Sequence, residues 1–575
     1  MKTIAHQGLG ATAAETDSRR TPPATPGSRG VSTRTSLSLL ALLVILGLIW
    51  FATLGTRALV SPDEGRYAAL ALEIARSGDW VTPRLNGLLY FEKPILQYWI
   101  GALAFLGFGV SEFTARLWPG VAGFLTLLAV GFTAGRLWGR EAGIQALAVA
   151  ASMTWLIGNS HFLTLDAGLT LFLTLALCGV LLALDNPDQR ARRRWIWLAW
   201  AAMAGAVLTK GLVGIVIPGA VLVIVSLWRR DMGLWRGMRW ASGPAIFFAL
   251  ATPWFVLVSM RNPAFAEFFF IHEHFARYLT QVHQREGAWW YYVPLLLLGM
   301  LPWTGALPWL FRKDPAAQGR SGITARDVLL VWCVFIFLFF SASGSKLPSY
   351  ILPMFPALAM LVTVQLRRTA LSALRWHLLL PVLAWVLLLA LSIDPARFAS
   401  ISTPVAVLEP LASAARVGAV IFLLGALAAW WCLGRRAITA AVVSLAFAHL
   451  VATLAVMQAH NTYGQLKSAA PMAAALQPHI TPETPVFAVR AYDQTLPFYL
   501  GRNVVLVEYT DEFALGELQE PQRWIRTLDE FAAKWESLPQ AAAYMDKPTW
   551  VELQQRGLPM HTVFEDQRRI VVIKK

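Results

Sequence analysis

Few side chains in this sequence can do polar chemistry, and they collect in short stretches. The first is SPDEGRY (61–67). Adjacent residues on a helix point about 100° apart, so of Asp63 and Glu64 one is expected to face a cavity and the other to turn away. Arg66 follows Asp63 by three residues, on the same helical face and at ion-pair spacing. In YFEKP, Glu92 and Lys93 stand between an aromatic pair and a proline, where an exposed ion pair is the plain alternative to a working one. In IHEHF, His272 and His274 are two residues apart, about 200° on a regular helix, so at most one of them can hold a metal from such a helix. The turn SASGSKLPSY (341–350) brings Lys346 and Tyr350. Asp166, after NSHFLTL, and Lys210, in TKG, are isolated charges at the mouths of apolar runs; a capping aspartate and a snorkelling lysine are the alternatives to a functional role. Carboxylates of this kind can orient or deprotonate an acceptor, and the cations can stabilise charge on a leaving group.

The elements that must position these groups are membrane helices. The chain has 575 residues, 56% hydrophobic and 14% charged, against roughly 25% charged in an ordinary soluble domain. That composition excludes a soluble globular enzyme, a disordered chain and a secreted disulfide scaffold. The net charge of +15 is spread between apolar runs, as cytoplasmic membrane loops are marked, so nucleic acid is rejected as a partner. Cys178, Cys333 and Cys432 lie inside apolar runs without metal or redox spacing and read as small buried apolar residues. Fourteen runs approach the roughly 20 residues that cross a bilayer: 36–56, 94–109, 116–137, 142–158, 167–184, 195–208, 211–228, 240–260, 290–310, 328–342, 350–366, 376–391, 417–433 and 438–457. Placing the arginine-rich loops inside leaves one run out of parity. It is 94–109, short and opened by Pro94, which is expected at the interface or dipping in and returning. Thirteen crossings remain, with the N-terminus inside and the C-terminus outside.

The fold class is therefore a polytopic α-helical membrane protein with a C-terminal soluble α/β domain. Residues 1–35 are expected to form a flexible cytoplasmic tail, 36–457 the membrane domain with outer loops 57–115 and 261–289, and 458–575 the outer domain. Residues 63–77 are expected to form an amphipathic helix on the membrane surface, started by Pro62 and Asp63. In the outer domain VFAVR (486–490), NVVLVEY (503–509) and RIVVIKK (569–575) read as strands and DEFAAKWES (529–537) as a helix. AYDQTLPFYLGR (491–502) is a candidate to pack on the cavity, with a structural role as the default.

Five stretches resemble the bacterial lipid A aminoarabinose transferases, which are similar to the protein O-mannosyltransferases and belong to the C-type membrane glycosyltransferases. They are DEGRYAALALEIARSGDWVTPRLNGLLYFEKPILQYW (63–99), the Asp in HFLTLDAG (161–168), LTKG (208–211), FFFIHEHFARY (268–278) and SKLPSYILPMFPALA (345–359). The resemblance implies a multi-pass protein of the bacterial inner membrane with a periplasmic active site. It implies transfer of 4-amino-4-deoxy-L-arabinose from undecaprenyl phosphate to a lipid A phosphate, with resistance to polymyxin and cationic peptides. It implies Asp63 as the principal catalytic carboxylate and Asp166 as the second. Glu92 and His274, with His272 less well matched, are implied as places for a divalent metal. Arg66, Tyr90, Lys93, Lys346 and Tyr350, with Lys210 as a further member, are implied around the lipid phosphate and sugar. The expected partners are the lipid-linked donor, lipid A and membrane lipids, with no nucleotide, and the protein is expected to be a monomer.

The implied reaction is displacement at an anomeric carbon. Its polyprenyl phosphate leaving group needs no proton, and Lys93, Arg66, Lys346 or a metal would stabilise the charge that builds there. An acceptor phosphate is already ionised near neutral pH. Asp63 would then orient the acceptor, position the donor's amine or hold a cation rather than act as a strong base. Direct attack inverts the anomeric centre, a covalent sugar–Asp63 intermediate retains it, and inversion is preferred. The isoprenoid tail stays in the bilayer, at about 0.8 kcal/mol per buried CH₂. Two alternatives stand beside this. A protein O-glycosyltransferase would need a general base for a serine hydroxyl. A transporter with an outer solute-binding domain would carry charges near the membrane midplane and paired repeats.

Overall fold

The computed structural model describes residues 33–276, 287–312 and 322–574, without the side chains of 33–39 and 272–276. The chain divides into a unit ending at Leu48, whose described part is most of helix α1 (Thr33–Phe51), and a unit from Ile49 onward that holds everything else. The second unit opens with α2 (Asp63–Ser77), a two-stranded ribbon β1 (Arg84–Leu85) and β2 (Leu88–Leu89), and α3 (Leu96–Phe108). Then follow α4 (Glu112–Trp138), α5 (Arg140–Ser152), α6 (Thr154–Ser160), α7 (Leu165–Leu184), α8 (Gln189–Lys210) and α9 (Val213–Arg229).

Among the described residues eight helical segments are long and apolar enough to cross a membrane. They are α4, α7, Ser242–Arg261, Ala325–Ala342, Pro348–Arg368, Leu371–Leu391, Val405–Gly434 and Ile438–Gln465. Several of the fourteen predicted runs take another form. Run 142–158 is cut at Met153, whose ψ of 121° is extended, leaving α5 and α6. Run 290–310 yields the helix Tyr292–Gly299 and a separate 3₁₀ turn, Thr304–Trp309. Pro302 lies between them; it lacks the N–H for an i→i−4 bond, which favours a break at that point. Run 195–208 lies inside α8, whose start carries four arginines that lower its hydropathy. Run 94–109, expected to return to its starting side, is α3, whose 13 residues reach only about 20 Å at 1.5 Å per residue.

Helix α2 begins where the sequence predicts. Asp63 and Glu64 fill its first turn, where the helix dipole favours negative charge. It stops at Gly78, a left-handed residue (φ 70°) whose N–H bonds the Ile74 carbonyl at 3.0 Å. It does not lie on a surface, as expected, but is clamped on both sides. Ala68, Leu70 and Ile74 are buried. A Cβ at Gly65 would stand 2.5 Å from the backbone of Gln494 and Thr495, and one at Gly101 of α3 would stand 2.8 Å from Cβ of Ala71. Two glycines thus let α2 approach the C-terminal domain on one side and α3 on the other.

That domain carries a five-stranded sheet in the order β4-β3-β5-β7-β6. Strands β3 (Val486–Val489), β4 (Val505–Val507) and β7 (Ile570–Lys574) fall inside the predicted runs; β5 (Ala541–Met545) and β6 (His561–Glu565) were not foreseen. β3 pairs in parallel with β4 and β5, and β7 pairs antiparallel with β5 and β6. Alternation along the strands sends side chains to two faces. Phe487, Val489, Met545 and Val572 pack on Phe531 and Trp535 of the predicted helix, here Leu528–Ser537. Ala488, Leu506, Tyr544, Val571 and Ile573 face the other way, into one core with Leu70 and Ile74 of α2, Leu85 and Leu88 of the ribbon, and Tyr98 of α3.

Candidate functional site

The two carboxylates that open α2 diverge as their angle on the helix requires. Glu64 turns into the protein and is 3% exposed. Its Oε1 accepts from Arg116 Nε at 2.6 Å and from the Leu163 N–H at 2.9 Å, and its Oε2 accepts from Arg116 Nη2 at 2.8 Å and the Val60 N–H at 3.0 Å. Arg116 spends its remaining donors on the carbonyls of Leu54, Arg57 and Ala58. Burial alone would raise the Glu64 carboxyl. The charge and hydrogen bonds of Arg116, the charge of Arg57 and the Leu163 N–H outweigh it and hold the group below its usual 4.5. Nearby, burial and the Arg116 charge draw Arg57 down to about 10. Glu64 is therefore an anchor that ties the loop before α2 to α4 and to the segment entering α7.

Asp63 points the other way, its side chain 45% exposed, into a cavity of about 170 Å³. The cavity wall brings together groups from five distant parts of the chain: Asp63 and Arg66 from α2, Glu92 and Lys93, Asp166 from α7, Lys210 from α8, and Tyr350. Asp166 stands in the first turn of α7 and Lys210 at the last residue of α8. Each is at the helix end whose dipole favours its charge. The two form an ion pair at 2.5 Å, and Ser349 Oγ donates to the second oxygen of Asp166 at 2.8 Å. The Lys210 ammonium also lies 4.7 Å from the centre of the Tyr350 ring. Arg66 reaches Asp63 at 2.8 Å. Lys93 donates to the carbonyl of Glu92 at 2.8 Å.

Two expected members are not part of this wall. Lys346 is buried, donating to the Ser343 carbonyl at 2.5 Å, and its stem lies under Gly287. Tyr90 is 2% exposed, and burial pushes its phenol well above the usual value. The side chains of His272 and His274 lie outside the described residues. Glu92 therefore stands as one carboxylate on the wall; among the described residues no group of three His, Cys, Asp or Glu side chains is placed to hold a metal.

The structure adds groups that the sequence reading lacked. Tyr67 lines the cavity and stacks on Tyr98 with ring centres 6.2 Å apart. Ser349 bonds Asp166, and the C-terminal domain contributes Asp511 and Glu512. Glu512 pairs with Arg66 Nε and accepts from Gln494 Nε2 at 2.8 Å. Burial lifts its carboxyl above the usual value against the pull of Arg66 and Gln494, and the Glu92 charge adds to the rise. The one signal for it in the sequence is an adjacent acidic pair, TDEF (510–513), following an apolar strand, much as the pair in PDEG opens α2. Phe268 gives the wall an aromatic flank, with Leu347 and Leu515 as further apolar groups. The arrangement offers cations for a phosphate, carboxylates for a cationic or hydroxylated sugar, and an apolar flank for a lipid.

Two family models match the chain. Residues 472–574 match the aminoarabinose transferase C-terminal domain, and residues 35–269 match dolichyl-phosphate-mannose-protein mannosyltransferase. The undecaprenyl phosphate-alpha-4-amino-4-deoxy-L-arabinose arabinosyl transferase of Pseudomonas aeruginosa (strain UCBPP-PA14) is 36% identical over 325 residues, 56% of this chain and 58% of that protein. The protein of the same name from Aeromonas salmonicida is 35% identical over 317 residues, 55% and 57% of the two chains. These alignments span less than two thirds of the relatives' length. The crystal structure of ArnT from Cupriavidus metallidurans bound to undecaprenyl phosphate superposes with a TM-score of 0.88 at 36% identity, over 94% of this chain and 98% of that one. The apo crystal structure of the same protein gives 0.87.

Proposed function

The chain belongs to the aminoarabinose transferase family, and from that premise we propose that it moves 4-amino-4-deoxy-L-arabinose from undecaprenyl phosphate to a phosphate of lipid A. The observation that carries the reading is the cavity in which Asp63, Glu92 and Asp166 face Arg66, Lys93 and Lys210. Its walls come from the regions matched by both family models and from segments between them. In this reading the protein crosses the inner membrane thirteen times and opens the cavity to the periplasm, with the C-terminal domain on the same side.

The donor's phosphate enters from the bilayer beside the aromatic flank, its tail staying in lipid. Arg66, Lys93 and Lys210 receive it. As the bond between the anomeric carbon and the phosphate oxygen lengthens, charge grows on that phosphate, and preplaced cations in a water-poor cavity lower the barrier. A phosphate leaving group takes the bonding electron pair without a proton. The acceptor phosphate attacks the opposite face of the sugar, which inverts the centre. Asp63 orients the acceptor or the sugar rather than taking a proton, since the acceptor is already ionised. Asp166 places Lys210 through their ion pair. The acidic groups of the wall, Glu512 among them, suit the positive charge of an amino sugar.

Mass spectrometry of lipid A tests this. Cells expressing the wild-type chain should gain aminoarabinose, and Asp63→Ala and Asp166→Ala should each lose it by about 100-fold or more, with polymyxin resistance following. Lipid A unchanged by the wild-type chain would remove the reading. The match of residues 35–269 to a protein mannosyltransferase model favours a second reading. Envelope proteins gaining sugar while lipid A does not would establish it.

Glu92, with His274 or His272, is the proposed place for a divalent cation, and no step above passes through it. Metal analysis of the purified protein should find about one equivalent, lowered by Glu92→Gln. A metal content that Glu92→Gln leaves unchanged speaks against this ligand set.

A further inference from the structure

Gln494 sits in the turn after β3 and is buried. Its carbonyl oxygen accepts from Ser61 Oγ at 2.6 Å, two residues before Asp63, and its amide nitrogen donates to Glu512 Oε1 at 2.8 Å. The other oxygen of Glu512 takes Arg66 Nε, and Arg66 Nη1 reaches Asp63 at 2.8 Å. One hydrogen-bonded chain thus leaves the loop before α2, passes through the C-terminal domain and returns to the first turn of α2. An amide suits the middle place because it is uncharged and offers an acceptor on one side and a donor on the other. A carboxylate would set two acceptors against Glu512, and a hydrocarbon would satisfy neither neighbour. The turn is held by its surroundings as well. Its backbone packs directly on Gly65, and Asp493 is bound by Arg569 at 2.8 Å and by Thr495 Oγ1 at 2.7 Å.

We propose that Gln494 is a positioning residue of the transfer reaction: it fixes Glu512 against Arg66, and so keeps Arg66 beside Asp63 at the cavity wall. The role in transfer rests on the reading of the cavity given above, whereas the hydrogen-bonded chain does not.

The consequence is a change in pH dependence. Glu512 is faced by Arg66, Asp63 and Tyr67 of α2, by Tyr90, Glu92 and Lys93, by Tyr492 of the Gln494 turn, and by Tyr509 and Asp511 of its own loop. Arg66 favours the charged carboxylate and Glu92 opposes it. Burial raises the phenols of Tyr90, Tyr492 and Tyr509, which stay neutral. The Gln494 N–H favours the carboxylate, so its loss lets Glu512 take a proton at higher pH. Arg66 then has no charged partner in the C-terminal domain, and the acid limb of the activity profile moves upward.

The test uses full-length protein in nanodiscs. Infrared titration follows the carbonyl band of protonated Glu512, identified by its loss in Glu512→Gln. In Gln494→Leu its midpoint should rise by about one pH unit. With undecaprenyl-phosphate aminoarabinose and lipid A, kcat/KM should fall ~10-fold on the acid side and return to within ~2-fold of wild type on the alkaline side. Adding Gln494→Leu to Glu512→Gln should cost nothing further. An unmoved midpoint and profile, or additive losses, would overturn the proposal. If Gln494→Leu does not fold, Gln494→Glu keeps the side-chain volume and sets a second carboxylate against Glu512; its midpoint must rise, and an unmoved one overturns the proposal equally. A wild-type protein that transfers no aminoarabinose defeats the reading of the cavity, while the infrared titration still decides what Gln494 does.

Discussion

Glu64 and Arg116 are both buried, and each is the other's charge partner. Breaking such a pair strands a charge in the interior, at a cost of several kcal/mol. Glu64→Gln is therefore expected to destabilise the protein by about 3 kcal/mol, read as a lower thermal midpoint in detergent. The sign of the pH effect follows from the Glu64 carboxyl lying below its unfolded value of 4.5. The stabilisation is complete above that value and is lost as pH falls through the lower, folded one. The gap between wild type and Glu64→Gln should shrink below pH 4.5, and a constant gap would contradict the assignment. The divergence of Asp63 from Glu64 was legible in the sequence because a helix fixes the angle between neighbours. So was the placing of Asp166 and Lys210 at helix mouths, although their pairing was not. Glu512 was not legible, because it meets Arg66 from 446 positions away and the acidic pair in TDEF does not by itself say what it faces. Lys346 shows the converse: a lysine in a short polar turn looks available, yet its ammonium is taken by a carbonyl three residues back.

At the scale of elements, α2 was readable at both ends from Pro62, Asp63 and Gly78. Its surroundings were not, since small residues that would suit a lipid surface suit close helix and domain contacts equally well. Gly65 decides between the two. A methyl group there would meet the Gln494 and Thr495 backbone at 2.5 Å, and backbone yields less readily than a side-chain tip. Gly65→Ala should cost about 1–3 kcal/mol of stability and lower transfer, whereas Gly107→Ala, with nothing within 4 Å of the new methyl, should leave stability unchanged apart from helix propensity. A Gly65→Ala protein as stable as wild type would show that α2 is free of the domain. Strand β5 escaped notice for a related reason. AAAYM has three alanines, which are depleted in strands, and only neighbours on both sides make it the centre of a sheet.

For the molecule as a whole, composition and apolar runs gave the class, a multi-pass helical membrane protein with a C-terminal domain, whereas breaks inside apolar runs left no mark in hydropathy. Run 290–310 is the clearest case, two short pieces where an apolar stretch suggested one helix. The C-terminal domain lines the cavity through Asp511 and Glu512, so the two must share one side of the bilayer. Alkaline phosphatase fused after 457 or after 575 should accordingly be active and green fluorescent protein dark, and the reverse pattern would overturn the proposed orientation. The sheet of that domain has one face filled by its own helices, and the other shares a core with the domain's own Met472, Leu476, Leu496 and Phe513 and with α2, the ribbon and α3. During synthesis those earlier segments emerge well before the strands that will cover them. Until the sheet docks, a newly made chain displays a greasy seam to whatever chaperones and proteases patrol that compartment. Closing the seam and completing the acidic wall are a single event, so a half-finished copy is both inert and conspicuous to disposal.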